Sequence, residues 1–514
     1  MKKSYIYFLI LLFLFLWIFP IGNLIAQFFD FNDFVAVLSK SRTIRILKFT
    51  LLQSFLSVIF SFLIGIFPAF YVANNNNVLS KVLENSFFIP FFFPPIPTII
   101  AFSLLYGANG IFYKLFHINI LYTLTAIVLA HSFYNSPIFV KYISDSLKSI
   151  PKNYIENAII DGSNKQHIFR KITLPLILSS LLKASFLVFT YSFVSFAIVL
   201  SLGGIKYSTF EVAIFTTLRS SLDFSKALTY AIIQFIILLL LNYIISLPKI
   251  YEMNIDENYK SKNSIILVLF SIFYLFFEYS VVFVGTLAGF FDFVNVRFTF
   301  KGFLNLFSKE LNSYYFVIKS IYNTFLIAFF SSIIVVFFTY MILRSIKTHK
   351  QMIISNILII SSLGVSAAFL AMGLLTLNIN YSISYPVLLV IGYIVITVPI
   401  AYTFLQQRIL SFDYSIIEAA KIDGANTLRT FFYIELPILK NTLISVFLQI
   451  FAIIFGEFTI SYTMQAVDYF PLISNVNYAL SNARYYLESQ ALSSITIIMI
   501  FILFNLSLFF SKEV

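Results

Sequence analysis

The residues best placed to do chemistry come as two matched acidic clusters, Glu156 and Asp161 followed by Gly162, and Glu418 and Asp423 followed by Gly424. Every member has its counterpart 262 positions along the chain, and the same offset relates Ala158 to Ala420, Asn157 to Ala419, and the Ile172-x-Leu174-Pro175 run to Ile434-x-Leu436-Pro437. Carboxylates in such a pattern could anchor a loop or meet basic groups on a partner. Nothing nearby makes them a reaction centre. The chain has no cysteine, which excludes disulfides, thiolate-bound zinc and thiol redox chemistry. Its four histidines, His117, His131, His167 and His349, have no metal-ligand spacing, and neither an H-E-x-x-H helix nor a G-x-S-x-G nucleophile turn occurs. No G-x-x-x-x-G-K-[ST] phosphate loop occurs either, so any nucleotide hydrolysis would belong to another chain. The duplicated clusters therefore point to docking rather than catalysis, and the chain is not expected to be an enzyme or to carry a cofactor or metal.

The elements that position these clusters are set by composition. Of 514 residues, 60% are hydrophobic and 11% charged, and the mean hydropathy is +0.92. Lipid can solvate that much apolar surface and water cannot. Apolar runs of about 20 residues, the length that crosses roughly 30 Å of hydrocarbon at 1.5 Å per residue, recur throughout. They predict an all-α polytopic membrane protein with about twelve spans, in parallel six-helix repeats. The first half offers 5–26, 46–73, 86–106, 119–140, 174–202 and 228–248; the second offers 264–289, 320–343, 352–376, 385–406, 437–462 and 491–510. Continuous rather than alternating apolarity excludes an outer-membrane barrel.

The sequence divides into a first half, 1–248, with its polar loop at 152–175, a polar linker at 249–263 and a second half, 264–514, with its loop at 414–437. Lys2-Lys3 and the long apolar run after them read as an uncleaved first helix with a cytoplasmic N-terminus. The net charge of +12 is dispersed over loops rather than gathered into a nucleic-acid patch. Lys141, Lys148, Lys152, Lys165, Arg170 and Lys171 put the first repeated loop on the cytoplasmic side, and an even number of spans puts the second there too.

Within each loop, the Glu-to-Asp stretch fits under two helical turns and the glycine permits the left-handed residue that ends a helix. A second short helix follows, with Phe169 and Ile172, or Phe431 and Ile434, on one face. Pro175 and Pro437 then stand where the next spanning helix is expected to begin.

This pattern, Glu-Ala-Ala, three residues, Gly, nine residues, Ile-x-Leu-Pro, is complete from Glu418 to Pro437 and differs by Asn157 alone from Glu156 to Pro175. It resembles the EAA loop of binding-protein-dependent ABC transporter permeases. The resemblance implies a coupling helix, seated in a cytoplasmic ATPase dimer that holds ATP and Mg, and a separate extracytoplasmic solute-binding protein. Under it, Glu156, Ala158, Asp161, Gly162, Pro175, Glu418, Ala419, Ala420, Asp423, Gly424 and Pro437 are the coupling residues. Two fused halves are similar to the thiamine and ferric iron permeases of the cell inner membrane. The Ser195 to Gly204 run and Glu211 to Phe215 look most like the thiamine type, while Phe455 to Phe458 carries a Gly-acidic-Phe element found in both. Thiamine or its phosphates is the favoured solute and ferric iron the alternative.

Glu457 falls inside an expected span and aligns with Ser195 at the same offset; both are pathway candidates, since a carboxylate in hydrocarbon needs a polar pathway or a partner. An ion-gradient-driven secondary transporter using Glu457 is the rival of a different class. Glu278 is expected to be satisfied locally by Tyr279-Ser280. Pro90, Pro94, Pro95 and Pro97 are expected to break or kink the third span, or to shape its start.

Overall fold

A computed structural model describes residues 4–88, 93–204, 206–246, 264–293, 295–360, 362, 366–410, 412 and 414–512. The expected linker at 249–263 and Pro90 lie outside these. Among the described residues the regular structure is helical, apart from a two-residue antiparallel pairing of Phe291–Asp292 with Arg297–Phe298. Among the described residues, ten helices are long and apolar enough to cross a membrane, and the chain is an all-α multi-pass membrane protein.

The two remaining expected spans are present in altered form. The run at 119–140 lies within a helix of 25 residues, Leu124–Lys148, that carries His131, Ser132, Asn135 and Ser136 in its buried face. The run at 352–376 is divided into His349–Ile360 and a shorter apolar helix, Ala367–Tyr381. Length and apolarity come apart in Leu124–Lys148 and Ala367–Tyr381 because protein neighbours, not lipid, cover most of their side chains.

Two compact units organise the contacts, and they cut the chain differently from the sequence repeat. One comprises Asp30–Thr299; the other comprises Met1–Phe29 together with Phe300–Val514. The first apolar helix, Ser4–Phe28, packs on Ala367–Tyr381 of its own unit, and Ile265–Leu287, which opens the second half in sequence, packs on Ser41–Asn74 and Pro95–Tyr106.

In the 30–299 unit the central pair is Ser41–Asn74 against Leu124–Lys148, with Leu174–Phe193 on both. Gln53, Ser57 and Ser61 recur every fourth residue on one face of Ser41–Asn74, all fully buried, and Gly65 continues the series. From Ser57 to Gly65, small residues at this spacing let backbones approach in a medium without a hydrophobic force between helices. A Cβ on Gly65 would stand 2.7 Å from the Ser136 carbonyl oxygen, so glycine is required there. Beyond Gly65 the seam turns apolar, and Ala69, Ile138, Phe139, Ile177 and Val188 form its core.

In the other unit, Val317–Ser345 packs against Tyr385–Leu410 and Leu436–Phe455, and Tyr486–Lys512 covers Leu436–Phe455.

The prolines of the third span do not break a helix among the described residues. Pro94 precedes the helix and Pro95 is its first residue, where a missing N–H leaves nothing unpaired. Glu278 is a correction: it is fully buried, and its partner is Ser136, 142 residues away in sequence, whose hydroxyl donates to Oε1 at 2.7 Å. Ser280 instead donates to the Phe277 carbonyl. A serine one residue from its own helix's carbonyl ladder satisfies that ladder more readily than it reaches a neighbouring side chain.

Candidate functional site: a duplicated helix-turn-helix element

Each acidic cluster lies on a nine-residue helix, Lys152–Ile160 or Tyr414–Ile422, followed by a tight turn and a four-residue helix, Lys165–Ile168 or Thr427–Thr430. The turn is built the same way twice. Gly162 has φ +81° and Gly424 φ +83°. Just past them, the Ser163 amide donates back to the Ala158 carbonyl at 2.9 Å and the Ala425 amide to the Ala420 carbonyl at 2.9 Å. A left-handed glycine with a bond reaching back five residues is the Schellman ending, which pairs helix carbonyls that would otherwise lack donors.

Ala158 and Ala420 are buried at the inner side of this turn, at 9% and 8% exposure, so a small side chain there lets the helix lie close to the body of its unit. Glu156, Asp161 and Gly162, and equally Glu418, Ala419, Asp423 and Gly424, are exposed. Glu156 pairs with Lys152 one turn earlier at 3.4 Å, both side chains being more than 40% exposed. Such a pair orients a carboxylate and contributes little to stability.

Sequence reasoning overlooked three features of these elements. Asn164 caps the short helix by accepting from the His167 amide at 2.8 Å, and Asn426 does the same for Arg429 at 2.9 Å. Their signal was legible, since the two asparagines share the repeat offset. The helix ends carry bare isoleucines, Ile160 at 81% and Ile422 at 86% exposure. A water-facing apolar side chain at the tip of a charged element, present twice, is a contact that a partner surface can bury.

The third feature is the join to the spanning helix. Pro175 and Pro437 stand in the first turn of the spanning helices Leu174–Phe193 and Leu436–Phe455, as expected, but the chain before them is already helical and widens into a π-turn, Phe169–Thr173 or Phe431–Glu435. The Leu174 amide bonds to the Phe169 carbonyl, and Leu436 to Phe431, each five residues back. A proline lacks the donor for its preceding turn and its ring collides with the carbonyl four residues earlier. Widening the turn moves that carbonyl aside, and the helix continues.

The copies differ at the end of the π-turn. Glu435, 3% exposed, accepts from the Arg344 guanidinium at both oxygens and from the Tyr340 hydroxyl. The matching residue of the first copy is Thr173, which has no charge to neutralise.

Glu457 and Ser195 do not sit within unbroken helices. Leu174–Phe193 ends, and the short helix Ala197–Leu202 starts, at positions matched by Leu436–Phe455 and Thr459–Thr463. Ser195 and Glu457 occupy these two breaks. The Glu457 carboxylate accepts the Ile460 amide at 2.9 Å, while the Ser474 hydroxyl donates to the Glu457 carbonyl at 2.6 Å. At the other break the Thr209 hydroxyl reaches the Ser195 carbonyl at 3.5 Å. Among the described residues no group of acidic and histidine side chains is arranged to hold a metal ion.

Residues 61–247 match the family of binding-protein-dependent transport system inner membrane components. A probable transport system permease protein, NifC, of Clostridium pasteurianum is 29% identical over 43% of this chain and 81% of its own length. The thiamine transport system permease protein ThiP of Brucella suis is 30% identical over 40% of this chain and 39% of its own, and that of Escherichia coli 28% identical over 40% of each. The match thus spans well under half the length of these thiamine permeases. The matched family and these relatives are transport permeases, not enzymes.

Proposed function

We propose that this chain, whose residues 61–247 match the binding-protein-dependent transport system inner membrane components, is the membrane-spanning subunit of an ATP-driven ABC importer. In this reading the halves 1–248 and 264–514, joined by 249–263, form the pathway for a small solute, with thiamine or its phosphates favoured over ferric iron. A separate ATPase dimer, carrying ATP and Mg, grips the two helix-turn-helix elements on the cytoplasmic side of the cell inner membrane. A separate extracytoplasmic protein delivers the solute.

The observation that carries this reading is the exposed element itself, built twice with the same Schellman glycine, the same asparagine cap, the same π-turn and the same bare isoleucine. The second copy lies beyond the matched segment, so it supports the family reading independently. Isolated amphipathic linkers have no reason to agree at this level. A helix cradled between nucleotide-driven jaws needs a rigid end, a charged flank for orientation and an apolar tip for burial, and the relatives named for thiamine favour that solute.

Reconstitution with the ATPase and binding protein tests it. Labelled thiamine should enter vesicles only with ATP and should persist with an uncoupler. Uptake that an uncoupler abolishes and ATP does not support would reject the reading in favour of ion coupling. Ferric iron uptake with no thiamine uptake would keep the class and reassign the solute.

A further inference from the structure

The pattern Phe-x-x-Phe-x-x-x-x-Ser-Lys occurs twice, from Phe31 to Lys40 and from Phe300 to Lys309, 269 positions apart. Each copy folds into a short helix, Phe31–Leu38 or Lys301–Leu306, and each packs within its own unit on the first turn of a spanning helix. The Ser225 hydroxyl, at the start of Phe224–Ser246, donates to Asp33 at 3.1 Å. Asn305 donates to Glu488 at 2.9 Å, at the start of Tyr486–Lys512, and a Cβ on Gly302 would collide with the Leu487 carbonyl. A helix fixed to the first turn of a span is held at the depth where that span leaves the hydrocarbon.

In each unit this is the end away from the helix-turn-helix element. Glu84 pairs with Lys148, just before Lys152–Ile160, so the Asn74 end of Ser41–Asn74 lies with the element and its Ser41 end, beside Phe31–Leu38, lies at the other. The Arg344–Glu435 pair orients Val317–Ser345 in the same sense.

Successive residues turn about 100° around a helix, so positions i, i+4 and i+7 share a face. Phe300 and Phe307 flank the second helix yet belong to its ladder, since the Leu304 amide donates to the Phe300 carbonyl at 3.1 Å and the Phe307 amide to the Phe303 carbonyl at 3.3 Å. Each helix has three sectors. Val37 or Leu306 faces the protein and is buried. Phe31, Val35 and Leu38, or Phe300, Leu304 and Phe307, form an exposed apolar stripe. Asn32 or Lys301 turns to a third, polar side, away from the buried residue. A helix lying in a membrane surface meets these three surroundings: a neighbouring span, the acyl boundary and water. The stripe carries no charge or hydrogen-bonding group that would orient a water-borne protein, whereas Phe, Val and Leu suit the acyl boundary.

We propose that Phe31–Leu38 and Lys301–Leu306 are interfacial helices whose apolar stripes are buried in the headgroup–acyl boundary of the bilayer, on the side opposite the helix-turn-helix elements. There they fix the depth of Phe224–Ser246 and Tyr486–Lys512.

The native chain has no cysteine, so single cysteines report on one position each. Val35→Cys and Leu304→Cys, with Asn32→Cys and Lys301→Cys as polar-side controls, would be spin-labelled in the full chain in phosphatidylcholine vesicles. Collision with oxygen and with a water-soluble nickel chelate is then compared. The ratio of oxygen to nickel accessibility is expected to be several-fold higher at Val35 and Leu304 than at Asn32 and Lys301. Trp17 is the chain's one tryptophan, so a Trp17→Phe background carrying Phe307→Trp gives a second reading without a label. Its fluorescence should be quenched more by phosphatidylcholine brominated close to the carbonyl than by lipid brominated near the chain end. Equal ratios at all four positions overturn the proposal, as does fluorescence that neither brominated lipid quenches. Nickel accessibility at Val35 and Leu304 that disappears only when a solute-binding protein is added overturns it too, and assigns the stripes to that protein. Neither measurement needs the ATPase, so the outcome is independent of the transport reading.

Discussion

Replacing Gly424 isolates the turn from everything around it. Its φ of +83° lies in the left-handed region, yet a Cβ built on it meets nothing within 4 Å. The penalty for a side chain is thus backbone strain alone, with no clash to relieve. For an ordinary residue that strain is about 1–2 kcal/mol, less for asparagine and more for a β-branched residue. One to two kcal/mol lowers the native turn relative to relaxed alternatives by a factor of about 5–30. A relaxed turn loses the bond from Ala425 to Ala420 and swings Ile422 away from its position. Gly424→Asn should therefore transport close to the native rate, Gly424→Ala should fall several-fold, and Gly424→Val further still. All three should keep normal membrane levels and an unchanged Tm, because the strained segment is exposed. The assay is solute uptake with the ATPase present, normalised to membrane protein. If Gly424→Val transports normally, or if Asn is as damaging as Val, the left-handed turn is not what positions the element.

Two further predictions concern buried charge. Arg344→Met leaves the Glu435 carboxylate buried without its countercharge and should cost about 3–5 kcal/mol, while the double variant with Glu435→Leu should recover most of the loss; thermal unfolding of the four proteins measures both. Ser136→Ala removes the donor to the buried Glu278 and should cost about 1–3 kcal/mol, visible as a lowered Tm, whereas pairing it with Glu278→Leu should bring the protein back towards native stability.

Much of the local chemistry needed no tertiary structure. Period and spacing in the chain placed a short helix before each glycine turn, the turns themselves and ten of the twelve expected spans, because a helix end depends on a residue's own φ preference and on neighbours within one turn. The asparagine caps of Asn164 and Asn426 were open to the same reasoning. What the chain could not announce was which distant partners its buried polar groups would find. Glu278 reaches Ser136 rather than its own neighbours, and Glu435 takes Arg344 from a helix some ninety residues earlier. The packing of Ser4–Phe28 within the unit of Phe300–Val514, and of Ile265–Leu287 within the other, has no signature in a sequence that repeats every 262 residues. In lipid every apolar helix is equally soluble, so hydrophobicity fixes that a segment spans and says nothing of its neighbour. That choice falls to surface shape and to the few polar groups that must be paired, and both exist only once the helices are assembled.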